Sequence, residues 1–125
     1  MESRISGHTK LFCLIGSPVG HSGSPAMYNY TFERLGIDAA YLAFDIPLEQ
    51  VEAGVEALKT LGVGGFNVTM PHKQAILPLL DAVEGDVAAM GAVNTVVVRQ
   101  GRAVGYNTDG EGFVRSLPFT ASGKR

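Results

Sequence analysis

Apolar positions along the chain alternate between short continuous runs and wider, helically spaced ones. Leu11 to Ile15 is unbroken and closes on Gly16, the pattern of a strand buried on both faces. A polar stretch rich in Gly, Ser and Pro follows. Ser24-Pro25 then reads as N-cap and first helical residue, since proline has no amide hydrogen to waste there. That helix runs through Met27, Tyr30, Thr31 and Leu35 and stops at Gly36. Ala40 to Ile46 predicts a second strand, and Pro47 opens a second helix. Val51, Val55, Leu58 and Leu61 share one apolar face of it, and Gly62 ends it. Phe66 to Val68 is a short third strand. Pro71 turns the chain into Gln74–Leu80, and a further helix is expected from Asp81 to Met90. Val93 to Arg99 and Ala103 to Tyr106 form a hairpin around Gln100-Gly101. Thr108 and Glu111 make a capping box that starts a last helix through Phe113 and Leu117.

This order predicts an α/β fold: a mainly parallel, twisted sheet with helices on both faces, and a C-terminal hairpin and helix. Its 125 residues suffice for one domain with a real core. Residues 118–125 read as the start of a linker. With 46% hydrophobic and 18% charged residues, a disordered chain is excluded. The net charge of −2 and the scattered Lys and Arg give no footprint for nucleic acid. No apolar run is long enough to span a bilayer, and no secretory signal pattern opens the chain. The single cysteine, Cys13, lies in an apolar run and reads as a small core residue in a reducing, cytoplasmic compartment. The three histidines show no metal-ligand spacing, so no metal is expected.

Ligands of open α/β sheets bind beyond the carboxyl ends of the strands. Four polar clusters fall there. His21-Ser22-Gly23-Ser24-Pro25 places two hydroxyls at a helix N-terminus, whose partial positive charge suits a carboxylate; plain helix capping accounts for them equally. In Asn67-Val68-Thr69-Met70-Pro71-His72-Lys73, Asn67 and Thr69 share one side of an extended segment and Lys73 follows at the next turn. This set suits a polyhydroxylated ligand, or an Asn/Thr turn with a solvated lysine. Asn94, within Gly91–Thr95, enters a run of valines and needs a partner, backbone or ligand. In Gly105–Gly110, Thr108 serves as a cap and Asp109 suits the first turn of a helix. No G-x-G-x-x-G turn leads from a strand into a helix, so no dinucleotide site is recognisable in the chain.

Taken in order, His21–Pro25, Asn67–Lys73, Gly91–Thr95 and Asn107–Asp109 resemble the HSxSP, NVTxPxK, GAxNT and NTD pattern of the shikimate dehydrogenase family's substrate domain. The resemblance covers roughly residues 10 to 117. It implies a substrate (shikimate)-binding domain over 1–117, with a nicotinamide-binding domain to follow the linker. The implied reaction is the NAD(P)-dependent interconversion of 3-dehydroshikimate and shikimate, in aromatic amino acid biosynthesis, with quinate and 3-dehydroquinate as a second substrate pair. By the same resemblance, Ser22 and Ser24 hold the substrate carboxylate, and Asn67, Thr69, Asn94 and Asp109 hydrogen-bond ring hydroxyls. Lys73 and Asp109 form the catalytic pair beside the hydroxyl that is oxidised, Lys73 being the proton-transfer residue. NADP or NAD is bound mainly by the other domain, so the 125 residues alone are expected to bind substrate and transfer no hydride. The expected partners are the small-molecule substrate and, as an option, a second copy of the chain. Tyr28-Asn29 and Ser17–Gly20 depart from the family's pattern, which leaves shikimate against quinate open. A rival reading, a non-catalytic sensor for a hydroxylated cyclohexane carboxylate, would keep the serines and asparagines without needing both Lys73 and Asp109.

Overall fold

The computed structural model describes residues 3–84, 87 and 91–107. Among the described residues, its frame is a six-stranded sheet with helices packed on it. Strand β1 (Lys10–Gly16) is joined by helix α1 (Ser24–Leu35) to β2 (Ala39–Asp45). Helix α2 (Val51–Leu61) leads to β3 (Gly65–Val68), and the short α3 (His72–Ala75) follows. The strands β4 (Ala82–Val83), β5 (Thr95–Arg99) and β6 (Arg102–Tyr106) complete the sheet in the order β2-β1-β3-β5-β6-β4. Pairing is parallel for β1 with β2, β1 with β3 and β4 with β6, and antiparallel for β3 with β5 and β5 with β6. The α/β architecture is therefore as expected, in a mixed sheet whose parallel pairs outnumber the antiparallel ones.

The period-two alternation of a strand divides the core. From β1, Phe12 and Leu14 point to the α1 side, where they pack with Val19, Tyr28, Phe32, Ile37, Ala39 and Tyr41. Cys13 and Ile15 point the other way, into a cluster with Val55 and Leu58 of α2, Phe66, Ile76, and Val96 and Val98 of β5. Cys13 is free and fully buried, and burial pushes its thiol up to about 12. That is the inert core role expected of it.

Helix ends follow the glycines. Gly36 and Gly62 cap α1 and α2 with φ of 68° and 74°, left-handed conformations that favour glycine. The β5–β6 hairpin turns through Gln100 (φ 54°) and Gly101 (φ 75°), two successive left-handed residues that match the twist of the strands.

Four expectations need correction. Ser24 is not the N-cap of α1; Gly23 is, without a side-chain cap, and the Ser24 amide donates to the Ser22 hydroxyl instead (3.1 Å). Leu61 is not on the buried face of α2 but 71% exposed, because the helix ends at Gly62 and Val63 turns in to fill the core. The helix expected from Asp81 opens instead as strand β4. The Asp81 amide donates to Ala103 O (2.8 Å) and the Glu84 amide to Gly105 O (2.9 Å), so the free edge of β6 supplies the partners that a helix would have supplied. The second helix also starts later than expected, after a 3-10 turn over Leu48–Gln50. The Thr108–Glu111 capping box, the helix through Phe113 and Leu117, residues 118–125 and Asp109 lie outside the described residues. Among the described residues, no helix is long and apolar enough to cross a membrane.

Candidate functional site

The polar clusters do meet at one edge of the sheet. β1, β3 and β6 present their carboxyl ends there, and antiparallel β5 presents its amino end. Asn94 therefore joins Asn67 and Asn107 although it precedes its strand. Two close approaches hold the edge together. The Thr69 amide donates to Ile15 O (2.9 Å) and the Ser17 amide to Met70 O (3.1 Å), which seats the 69–71 segment against the end of β1. Gly16 permits this contact: a Cβ there would lie 2.3 Å from Thr69 Cγ2 and 2.9 Å from Met70 O.

Above that junction is a cavity of about 290 Å³ lined by Leu14, Pro18, Val19, His21, Ser22, Ser24 and Thr69. It brings together three of the residues singled out in the sequence, Ser22, Ser24 and Thr69. The Ser22 hydroxyl receives the Ser24 amide, whereas the Ser24 hydroxyl makes no hydrogen bond to a described residue. Both sit at the start of α1, where the helix dipole favours an anion. Among the described residues, no carboxylate lines the cavity.

Asn67 stands next to it, opposite Leu14 in the β1–β3 register. Its amide belongs to a connected group. The Tyr41 hydroxyl donates to Asn67 Oδ1 (2.7 Å), while Asn67 Nδ2 donates to Thr95 Oγ1 (3.2 Å) and to Asn94 O (3.4 Å). The Thr95 hydroxyl in turn donates to Asn94 Oδ1 (3.0 Å). The partner that Asn94 required is thus supplied in part by its own neighbour. Asn107 Nδ2 donates to Ala92 O (3.1 Å), which ties the end of β6 to the approach to β5.

Lys73 is half-buried in α3, and its carbonyl receives the Val93 amide (3.0 Å), so its backbone adjoins the Asn94 segment. Its side chain makes no ion pair among the described residues. Neither Lys73 nor Asn67 lines the serine cavity itself, and the pairing of Lys73 with Asp109 falls outside the described residues.

Sequence reasoning missed four supports of this site. Tyr41 is fully buried and stacks on Tyr28 (ring centroids 4.5 Å apart), and burial pushes both phenols up. Asn29 clamps α1 to β2 through both backbone groups of Tyr41: it accepts from the amide and donates to the carbonyl, each at 2.8 Å. Thr95 is 1% exposed and carries the link between the two asparagines. His72 is fully buried, and its Nε2 donates to Ile46 O (2.6 Å), which ties the start of α3 to the end of β2; its Nδ1 has no partner among the described residues. A polar residue between Pro71 and Lys73 was visible as a motif letter, but its direction was not. Among the described residues, no group of three or more His, Cys, Asp or Glu could hold a metal ion.

Comparison with known proteins agrees with this geometry. The family described as the shikimate dehydrogenase substrate binding domain matches residues 14–96. An NADP(+) shikimate dehydrogenase of Alkaliphilus metalliredigens is 51% identical over 117 residues, covering 94% of this chain and 41% of its own. Among solved structures, the shikimate 5-dehydrogenase of Listeria monocytogenes, in complex with shikimate and NAD, superposes with a TM-score of 0.84 at 41% identity, over 92% of this chain and 40% of its own. The 5-ketofructose reductase of a Gluconobacter species does so with 0.81 at 32% identity, over 89% and 40%. The chain spans about two fifths of the length of these relatives. With three polar motifs and Asn107 of the fourth gathered on one sheet edge and a family match over residues 14–96, the chain belongs to the shikimate dehydrogenase substrate-binding domain family.

Proposed function

We propose that residues 1–117 are the substrate domain of a cytoplasmic enzyme that interconverts 3-dehydroshikimate and shikimate with NADP or NAD. Quinate and 3-dehydroquinate form the second candidate pair, and a homodimer the candidate assembly. The observation that carries this reading is the gathering of Ser22, Ser24 and Thr69 round one cavity, with Asn67, Asn94 and Lys73 along the same edge. A carboxylate is recognised by the two hydroxyls at the N-terminus of α1, and the ring hydroxyls by Thr69, Asn67, Asn94 and Asp109. By the family resemblance, the cofactor is held mainly by a second domain. A nicotinamide bound there would supply or accept the hydride. For ketone reduction the Lys73 ammonium, with Asp109 orienting the reacting group, donates a proton to the oxygen as hydride reaches the carbon. In oxidation the lysine amine takes the hydroxyl proton back.

The test is Lys73→Ala in the full-length protein that carries this chain, assayed with shikimate and NADP. A positioned proton donor contributes roughly 100-fold or more, so kcat is expected to fall by that factor with KM changed far less. Near-normal turnover removes Lys73 from the chemistry. No turnover of shikimate or quinate in the unmodified protein, with binding retained, favours the sensor reading. Turnover of 5-ketofructose in place of both cyclic acids moves the substrate class to that of the Gluconobacter relative.

A further inference from the structure

Asn67 can be correctly oriented in only one way. Asn94 O is an acceptor and nothing else, so the side of the amide that faces it must be Nδ2. Thr95 Oγ1 takes the second Nδ2 hydrogen and passes its own proton to Asn94 Oδ1. Both N–H groups of Asn67 are then committed inside the protein. Its Oδ1 receives the Tyr41 hydroxyl and has one lone pair left. Asn67 is half-buried and so can offer that lone pair outward.

Tyr41 itself is built to hold this amide. It lies in the edge strand β2, with β1 between it and β3, and its side chain crosses β1 on the α1 side to reach Asn67. The ring is fully buried and stacked on Tyr28, and its backbone is clamped by Asn29. Tyr28 lies one turn along α1 from Ser24, on the same face of the helix. One rigid stack therefore backs both the serine wall and the amide wall of the site. Burial also pushes the phenol up, which favours its protonated, donating form.

We propose that Tyr41 is a positioning residue for substrate binding, whose hydroxyl aligns Oδ1 of Asn67, an amide that its Nδ2 contacts leave as a pure acceptor, toward a ring hydroxyl of the ligand. The proposal rests on Asn67 being a substrate ligand. Without the Tyr41 hydroxyl, the Asn67 amide keeps its Nδ2 contacts but loses the donor that aligns Oδ1.

A double-mutant cycle in the full-length protein tests this, with Tyr41→Phe, Asn67→Ala and the pair, measured by titration with shikimate and by steady-state kinetics. Tyr41→Phe keeps the ring and its stack. It is expected to raise Kd and KM about tenfold, the equivalent of one good hydrogen bond, with kcat little changed. The pair is expected to bind no more weakly than Asn67→Ala alone, because the hydroxyl acts through that amide. A purely structural role would give losses that add. Additive losses, or an unchanged KM in Tyr41→Phe while Asn67→Ala raises it, would overturn the positioning role and leave Asn67 as a ligand. An unchanged KM in Asn67→Ala would overturn the role together with the reading beneath it. Should the alanine variant not fold, Asn67→Thr closes the same cycle.

Discussion

The two faces of one sheet have been put to different uses. On the α2 side, Cys13, Ile15, Val55, Leu58, Phe66, Val96 and Ala103 make a closed apolar cluster, with the His72 imidazole at its margin. On the α1 side, Phe12, Leu14, Phe32 and Tyr41 begin in the same way, but the next positions in the sheet are Asn67 and Thr95. The buried polar groups there bond to one another before any ligand arrives. An unpaired buried amide or hydroxyl is expensive, so a polar wall beside an apolar core has to be nearly self-satisfied. What such a wall presents to a ligand is only what its internal bonds leave over.

The comparison can be broken most severely on the closed face. Leu58→Ala, at a position 4% exposed, is expected to cost about 2–5 kcal/mol of stability while shikimate affinity stays within a few-fold. Denaturant unfolding and titration read the two effects separately; a large affinity loss with normal stability would show that the faces are not independent.

Gly16→Ala strikes the junction between them. Its new Cβ would push on Thr69 and Met70 O, and overpacking of that kind costs about 1–3 kcal/mol. Here stability and affinity should fall together, the latter by roughly tenfold. A variant that loses stability alone would detach Thr69 from the binding wall.

The smallest effect is at the rim. Asp81 Oδ2 accepts from the Ala103 amide (2.7 Å) and from Lys59 of α2 (3.2 Å), and these, the amide first, hold its carboxyl below the ordinary value. A carboxyl depressed in the folded state adds stability above its unfolded pKa and loses it as pH falls through the folded pKa. Asp81→Asn should therefore lower the melting temperature slightly at neutral pH, with the gap to the parent protein closing in acid. A gap that persists unchanged below the carboxylate range would mean that charge is not what the aspartate contributes.

Which parts could be read in advance follows from how far their causes reach along the chain. The strands around Cys13, Ala43 and Val96, helices ending on Gly36 and Gly62, and the Gln100-Gly101 turn depend on neighbours a few residues away. β4 was misread because Ala82-Val83 is strand only by virtue of the β6 edge twenty residues on. Ser24 was taken for a cap because cap chemistry is local, while the preceding serine was free to take the amide instead.

The succession from β1 to β3 with its helices, the β5–β6 hairpin, the two-sided core of β1 and the four polar motifs were determined by the sequence itself, through period, glycine placement and residue type. The tertiary structure decided which polar atoms remain for a ligand, because that depends on partners brought from β2, β3 and β5 at once. A hydroxyl from residue 41 meeting an amide at residue 67 leaves no trace in local spacing, since the sheet alone makes them neighbours.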